Sequence, residues 1–167
     1  VGQSSEPIAC KRCSTGQYNN LTGQFNCTIC PIGSANAGTG NTNCEACPSG
    51  RVLVDDQVLD CQICPAGTYQ PLVHMNISIT CKHCQGSYLL DNRQNDTEHD
   101  SIDDCQNCPA GKQFVSTISE CNVCKAGKYQ HSNTTANATC VSCVGGYIVD
   151  DGQNVHEHDS PNGCKYC

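Results

Sequence analysis

The chain has 167 residues, 18 of them Cys, and carries 16 Asp plus Glu against 9 Lys plus Arg for a net charge of -7. So few basic residues exclude a nucleic-acid partner, which needs a cationic stripe to displace counterions from phosphates, and for the same reason disfavour an anionic membrane surface. No apolar run approaches the roughly 18 residues of a membrane span, so no direct membrane insertion is expected. Leu, Ile, Val and Phe together number only 28 and there is no Trp, which leaves a thin hydrophobic core and makes cysteine the first thing to explain.

In chain order, residues 1–9 are a lead-in without the apolar stretch of a signal peptide. Every Cys then falls in a CxxC pair, at 10/13, 27/30, 44/47, 61/64, 81/84, 105/108, 121/124, 140/143 and 164/167, separated by 13, 13, 13, 16, 20, 12, 15 and 20 residues. Residues 10–167 therefore read as a tandem array of eight CxxC-bounded loops. The loops begin with Gly turns such as "PIG", "PSG", "PAG", "KAG" or "VGG". Short strand-prone stretches such as "RVLV", "YLL", "QFV" or "YIV" follow, and then polar turn-formers. This pattern predicts a small disulfide-rich repeat, an elongated rod of short β-ribbons and irregular loops with little or no helix, each loop touching only its neighbours. The Tyr of "GQY", "GTY", "GSY", "GKY" and "GGY" is expected to lie on a neighbouring disulfide. A longer period is superimposed: residues 47–105 and 108–164 form a three-loop super-repeat, with a constant offset of 59 from Cys81 onward. It sets "CPAGTYQ" against "CKAGKYQ", and Tyr88, Asp91, Asn95 and the "EHDS" at 98–101 against Tyr147, Asp150, Asn154 and the "EHDS" at 157–160.

Consecutive CxxC pairs also suit structural zinc, but nine pairs cannot be consumed two at a time. Sequons count further against thiolates. Asn-x-Ser/Thr occurs six times, at Asn20, Asn26, Asn76, Asn95, Asn133 and Asn137, where 15 Asn and 25 Ser plus Thr give about two by chance. Sequons imply N-linked glycans on an extracellular or cell-surface protein, in a compartment that oxidises thiols. Redox catalysis would need a CxxC at a helix start, and no helical period is visible.

Sequence does not fix the pairing. The simplest register joins the second Cys of each pair to the first of the next: Cys13–Cys27, Cys30–Cys44, Cys47–Cys61, Cys64–Cys81, Cys84–Cys105, Cys108–Cys121, Cys124–Cys140 and Cys143–Cys164. Each such bridge is worth roughly 3 kcal/mol by loop entropy. An interlocked register, first to first and second to second, is the alternative. In the serial register Cys10 and Cys167 need outside partners, in a longer chain or another subunit, because a rod holds them too far apart to meet.

The runs "CQICPAGTYQ...CKHC", "CPAGKQF...CNVC" and "CKAGKYQ...CVSC" resemble the ephrin-receptor-like cysteine-rich repeats over nearly the whole chain, including the long arrays of large surface proteins of algae and other protists. More loosely they are similar to the first submodule of tumour-necrosis-factor-receptor repeats, without the three-Cys cluster of those receptors. The resemblance implies an extracellular spacer, adhesion or structural role and no catalysis.

The recurring acid-His-acid cluster is the remaining candidate chemistry. Sequential residues of an extended chain point to opposite sides, no free nucleophile is evident, and a thin rod offers no deep pocket, so no enzyme and no cofactor are expected. Calcium is the alternative, with Asp91, Asp100, Asp150 and Asp159 as hard oxygen ligands, although the spacing fits no EF-hand. The structural reading has Asp100 and Asp159 accepting backbone N–H groups in a turn, with the adjacent His over the following disulfide. The overall expectation is a non-catalytic segment of an extracellular glycosylated filament or surface protein, partnered by neighbouring repeats or subunits. The alternative is a ligand-binding receptor ectodomain, for which "QPLVHMNISI" is the most apolar loop.

Overall fold

The computed structural model describes residues 11–53, 60–73, 79–91, 93–146 and 154–165. Eight disulfides join Cys13–Cys27, Cys30–Cys44, Cys47–Cys61, Cys64–Cys81, Cys84–Cys105, Cys108–Cys121, Cys124–Cys140 and Cys143–Cys164, which is the serial register and not the interlocked one. We number loops 1 to 8 by these bridges. Cys10 and Cys167 lie outside the described residues, as do Asn76 and Asp150.

Loops 1 to 4, 6 and 7 each build one two-stranded antiparallel hairpin: β1 (Gln17–Tyr18) with β2 (Thr28–Ile29), β3 (Ser34–Ala35) with β4 (Glu45–Ala46), β5 (Arg51–Val52) with β6 (Gln62–Ile63), β7 (Thr68–Tyr69) with β8 (Lys82–His83), β9 (Lys112–Gln113) with β10 (Asn122–Val123), and β11 (Lys128–Tyr129) with β12 (Val141–Ser142). The second strand of every hairpin is the x-x of a CxxC. That accounts for the spacing: in extended backbone, residues three apart face opposite sides, so one Cys closes its own loop and the other opens the next.

The first strand follows a tight turn. In loops 1, 2, 4, 6 and 7 an N–H at the fourth position donates to the carbonyl of the first, as from Ser34 to Pro31 at 3.0 Å and from Thr68 to Pro65 at 3.1 Å. The third residue is Gly with φ between 74° and 83°, at Gly16, Gly33, Gly67, Gly111 and Gly127. Positive φ at that position is the type II signature that a Cβ resists. The carbonyl of each turn Gly then accepts from the second Cys of the next pair, from Cys30 to Gly16 through Cys143 to Gly127, at 2.8 to 2.9 Å. Turn, ribbon and bridge are thereby one unit.

Loops 5 and 8, the two 20-residue intervals, replace the open hairpin by pairs of short 3₁₀ turns, Asp96–Glu98 with Ile102–Asp104 and Val155–Glu157 with Pro161–Gly163. Asn95 and Asn154 cap the first turn of each pair through their side-chain oxygens. Ser101 caps the second turn of loop 5 in a reciprocal box with Asp104, and Pro161 opens its counterpart.

The chain divides into two compact units, Val1–Pro48 with Val52–Gln62 and Val73–Thr80, and Ser49–Arg51 with Ile63–Leu72 and Cys81–Cys167. In the first, Ala35, Cys47 and Cys61 cluster with Leu53 against them. In the second, Cys108, Cys121 and Ala138 cluster, covered by Tyr88 and Phe114. Nine of the thirteen buried apolar residues among those described are half-cystines, so cystine itself is the core. Tyr88 takes the expected place on a neighbouring bridge.

Loops in the second unit do not touch neighbours alone, which corrects the sequence-based expectation. A Cβ on Gly50 of loop 3 would overlap the Asp96 carbonyl of loop 5, one on Gly67 of loop 4 would sit 2.7 Å from the Thr117 hydroxyl of loop 6, one on Gly86 of loop 5 would meet Asn137 of loop 7, and one on Gly111 of loop 6 would meet Val155 of loop 8. Each of these four glycines therefore seats the closing arm of the loop after next. Sequence spacing shows which loops adjoin in the chain and carries no signal for this stacking.

The Cys108–Cys121 bridge sits at the centre of the second cluster, so replacing both residues by Ser removes loop closure and core together. Its loss is expected to cost more than the roughly 3 kcal/mol of loop entropy alone. Proteolytic sensitivity of loop 6, measured against that of loop 1 in the same sample, checks this.

Candidate functional site

The repeated words of the sequence converge on one arrangement, built twice. His99 and His158 are fully buried at 0% exposure, and Gln70 and Gln130 lie beside them, also buried. His99 closes the 3₁₀ turn Asp96–Glu98, donating its own N–H to the Asp96 carbonyl at 3.0 Å, which aims its ring back toward loop 4. There Nδ1 lies 2.7 Å from the Thr68 carbonyl and Nε2 lies 3.0 Å from Asp91 Oδ2. A carbonyl oxygen only accepts, so Nδ1 donates to it, and Nε2 faces the carboxylate of Asp91.

Backbone bonds carry the connection further. The Gln70 N–H donates to the His99 carbonyl at 2.7 Å, and the Gln70 carbonyl accepts from the Gly50 N–H at 2.7 Å. Its side-chain amide donates to the carbonyls of Arg51 at 3.1 Å and Leu72 at 2.7 Å, while its oxygen accepts the Leu72 N–H. Loops 3, 4 and 5 are thus linked through one glutamine and one histidine. In the second block the Gly111 N–H donates to Gln130 at 2.7 Å, Gln130 donates to His158 at 2.9 Å, His158 Nδ1 lies 2.7 Å from the Lys128 carbonyl, and the Gln130 amide reaches the Lys112 carbonyl at 3.1 Å. An added tie in the first block is the ion pair of Arg51 Nε with Asp96 Oδ2 at 2.8 Å, and that guanidinium holds the Asp96 carboxyl below its ordinary range.

Asp91 accepts from the Gln94 N–H at 3.0 Å and the Asn95 N–H at 3.1 Å in addition to His99. Burial pushes its carboxyl upward, but these two backbone donors together with His99 outweigh it and hold the pKa below the usual range. A carboxyl depressed in the folded state stabilises that state above its unfolded pKa, and the contribution is lost as pH falls through the folded value. Protection of the loop 5 amides is therefore expected to decline as pH drops below the ordinary carboxylate range. Asp91→Asn should flatten that dependence, as hydrogen exchange against pH would read.

The other predicted residues are placed differently. The carboxylates that accept turn N–H groups are Asp91 and Asp104, the latter from Ser101 at 2.8 Å, and the role expected of Asp100 is theirs. Asp100 is half-buried, and its side chain has no hydrogen-bond partner among the described residues. Asp159 faces exposed His156 at 3.7 Å. Among the described residues no group of three or more His, Cys, Asp or Glu is disposed to hold a metal ion. Asp91, Glu98 and Asp104 do share the wall of a cleft of about 250 Å³ with Tyr88 and Leu90. Two of its three carboxylates are engaged by the bonds above.

Among the sequons, Asn20, Asn26, Asn95, Asn133 and Asn137 are exposed. Asn95 Oδ1 accepts from the Thr97 N–H at 3.2 Å and hydroxyl at 2.8 Å, Asn133 Oδ1 accepts the Ala110 N–H at 2.7 Å, and the Asn137 amide packs on Gly86. Each described Cys is bonded to another, so among the described residues no free thiol lies near either histidine.

Sequence reasoning missed Gln70 and Gln130. The signal was present in the matched words "GTYQ" and "GKYQ", since a long polar side chain kept after a half-buried Tyr in both blocks asks for a buried partner. No protein-family model matches the chain, and no curated protein matches it.

Proposed function

We propose that this chain is a non-catalytic structural segment of an extracellular, glycosylated filament or cell-surface protein, built of ephrin-receptor-like cysteine-rich repeats. The observation that carries the reading is the use made of the buried polar groups: Gln70, Gln130, His99 and the Nδ1 of His158 bond backbone of their own or the preceding loop, and His99 also meets the Asp91 carboxylate. A site meant for a substrate keeps convergent polar groups unspent and open. Eight disulfides favour an oxidising, extracellular setting. No described helix is long and apolar enough to cross a membrane. The exposed sequons would carry the glycans, and neighbouring repeats or subunits would be the partners. Imaging of native material decides the matter: filaments or surface arrays containing this chain are expected, and a monodisperse monomer that captures a soluble ligand overturns the reading.

The receptor-ectodomain alternative draws on the acidic cleft of loop 5, where the Glu98 carboxylate makes no bond to the described residues. A soluble cationic ligand whose binding is abolished by Glu98→Lys would favour it.

A further inference from the structure

At three of the exposed sequons the side-chain amide is engaged, and in two different ways. At Asn95 the Thr97 N–H and hydroxyl donate to Oδ1 at 3.2 and 2.8 Å, and at Asn133 the Ala110 N–H donates to Oδ1 at 2.7 Å. A backbone N–H only donates, so the atom facing it is the oxygen and Nδ2 is turned the other way. Neither Nδ2 bonds any of the described residues, and both residues are exposed.

Asn137 is built the opposite way. Its φ of 55° is left-handed, a conformation that Asn adopts more readily than most residues with a side chain, so backbone geometry alone calls for Asn there. Its N–H donates to the carbonyl of buried Gly86 at 2.8 Å. Its Cγ and Nδ2 each lie 2.6 Å from the point where a Cβ on Gly86 would stand. The amide thus rests on the bare Cα of Gly86, and the next residue, Ala138, is core at 2% exposure.

Glycan transfer forms a bond from Nδ2 to C1 of a sugar and breaks the C1–O bond to the diphosphate of a lipid-linked oligosaccharide donor. One Nδ2 proton is shed, and the lipid diphosphate leaves with the electron pair. The product keeps Oδ1 as an acceptor and one N–H. Asn95 and Asn133 can therefore be modified without losing a bond. At Asn137 the sugar would need the space that Gly86 fills, and swinging the amide outward abandons the seat.

We propose that Asn95 and Asn133 carry the glycans of the second unit and that Asn137 is a withheld sequon, its amide reserved for the seat of loop 7 on Gly86. Loop 5 precedes loop 7 in the chain, so the seat is ready when loop 7 closes, and Cys140 of the closing bridge stands three residues after Asn137. Folding and transfer compete for one nitrogen. The inference rests on the glycosylated reading above and narrows it to particular residues.

The test uses the full oxidised chain secreted from a eukaryotic cell. Releasing the glycans with a peptide amidase in heavy-oxygen water turns each occupied Asn into a labelled Asp, and peptide fragmentation counts the label site by site. Asn95 and Asn133 are expected to be occupied in most molecules, with Asn137 at least about tenfold below Asn133, since leaving the seat forfeits a packed contact. A membrane-permeant thiol given to the same cells holds the Cys124–Cys140 bridge open and should raise Asn137 to the occupancy of Asn133. Thr97→Ala and Thr135→Ala, both at exposed positions, should each remove one glycan from the oxidised chain, and Thr139→Ala none. An Asn137 as fully occupied as Asn133 in the oxidised chain, an Asn137 unmoved by the thiol, or a glycan lost with Thr139→Ala overturns the inference. Glycans at all three sites would do so and leave the glycosylated reading standing. A secreted chain bare at every sequon would sink that reading and the inference with it.

Discussion

Replacing His99 by Ala is expected to strip about 3 kcal/mol of local stability from loops 4 and 5, and His158→Ala should do the same to loops 7 and 8. The ring fills a fully buried site, so its removal leaves a void, orphans the Thr68 carbonyl at the spot where Nδ1 stood, and takes from Asp91 its ring partner. Large losses arise from this combination of cavity and unsatisfied polar group. Disulfides hold the chain together through such damage, so global melting is a poor reporter and amide exchange a good one. The Gln70 N–H, which donates to the His99 carbonyl, should lose about 100-fold in protection, with loop 1 amides unchanged. His156→Ala is the matched control. Two residues from His158, this side chain is 86% exposed, and its loss should change little. Equal effects at positions 156 and 158 would contradict the clasp.

A glycine series gives the second large effect. At Gly50, Gly111 and Gly127 the φ is 76°, 82° and 76°, so Ala pays the same left-handed strain of about 1–2 kcal/mol at all three. Only the first two have a carbonyl oxygen where the new methyl would go, of Asp96 and of Val155. Gly50→Ala and Gly111→Ala must therefore also push the closing arm of loop 5 or loop 8 off its seat. Each is expected to cost about 3 kcal/mol or more, read as raised exchange at Gln70 or Gln130. Gly127→Ala should cost the strain alone. If Gly127→Ala proves as damaging as Gly111→Ala, the turn is not vacant.

How far the sequence reaches can be judged residue by residue. CxxC spacing with a Gly turn between was enough to foresee short β-ribbons, but not that the second strand of each hairpin is the two residues inside a CxxC, the shortest piece that can close one loop and open another. The Tyr88 position on a bridge was also legible. The 59-residue offset singled out His99 and His158 and matched Asp91 with Asp150, yet the turn was assigned to Asp100 and the contact of His99 with Asp91 went unseen, because a string of adjacent polar residues does not show which side chain faces inward. Gln70 and Gln130 were visible as repeated letters and invisible as partners, since their bonds run to backbone carbonyls of other loops, and backbone carries no letter.

By itself the sequence determined that cysteine, and not apolar burial, holds this protein, and that the acid-His-acid word recurs with a block of three loops. Loop lengths and turn residues are local quantities, and local quantities are written in order along the chain. Only the tertiary structure decided that Gly50, Gly67, Gly86 and Gly111 each seat the arm of the loop after next, and that the histidine clasps the hairpin before it. Those contacts join residues 30 or more positions apart through carbonyl oxygens and bare Cα atoms. Their specificity comes from close approach in space, which residue type and spacing do not encode.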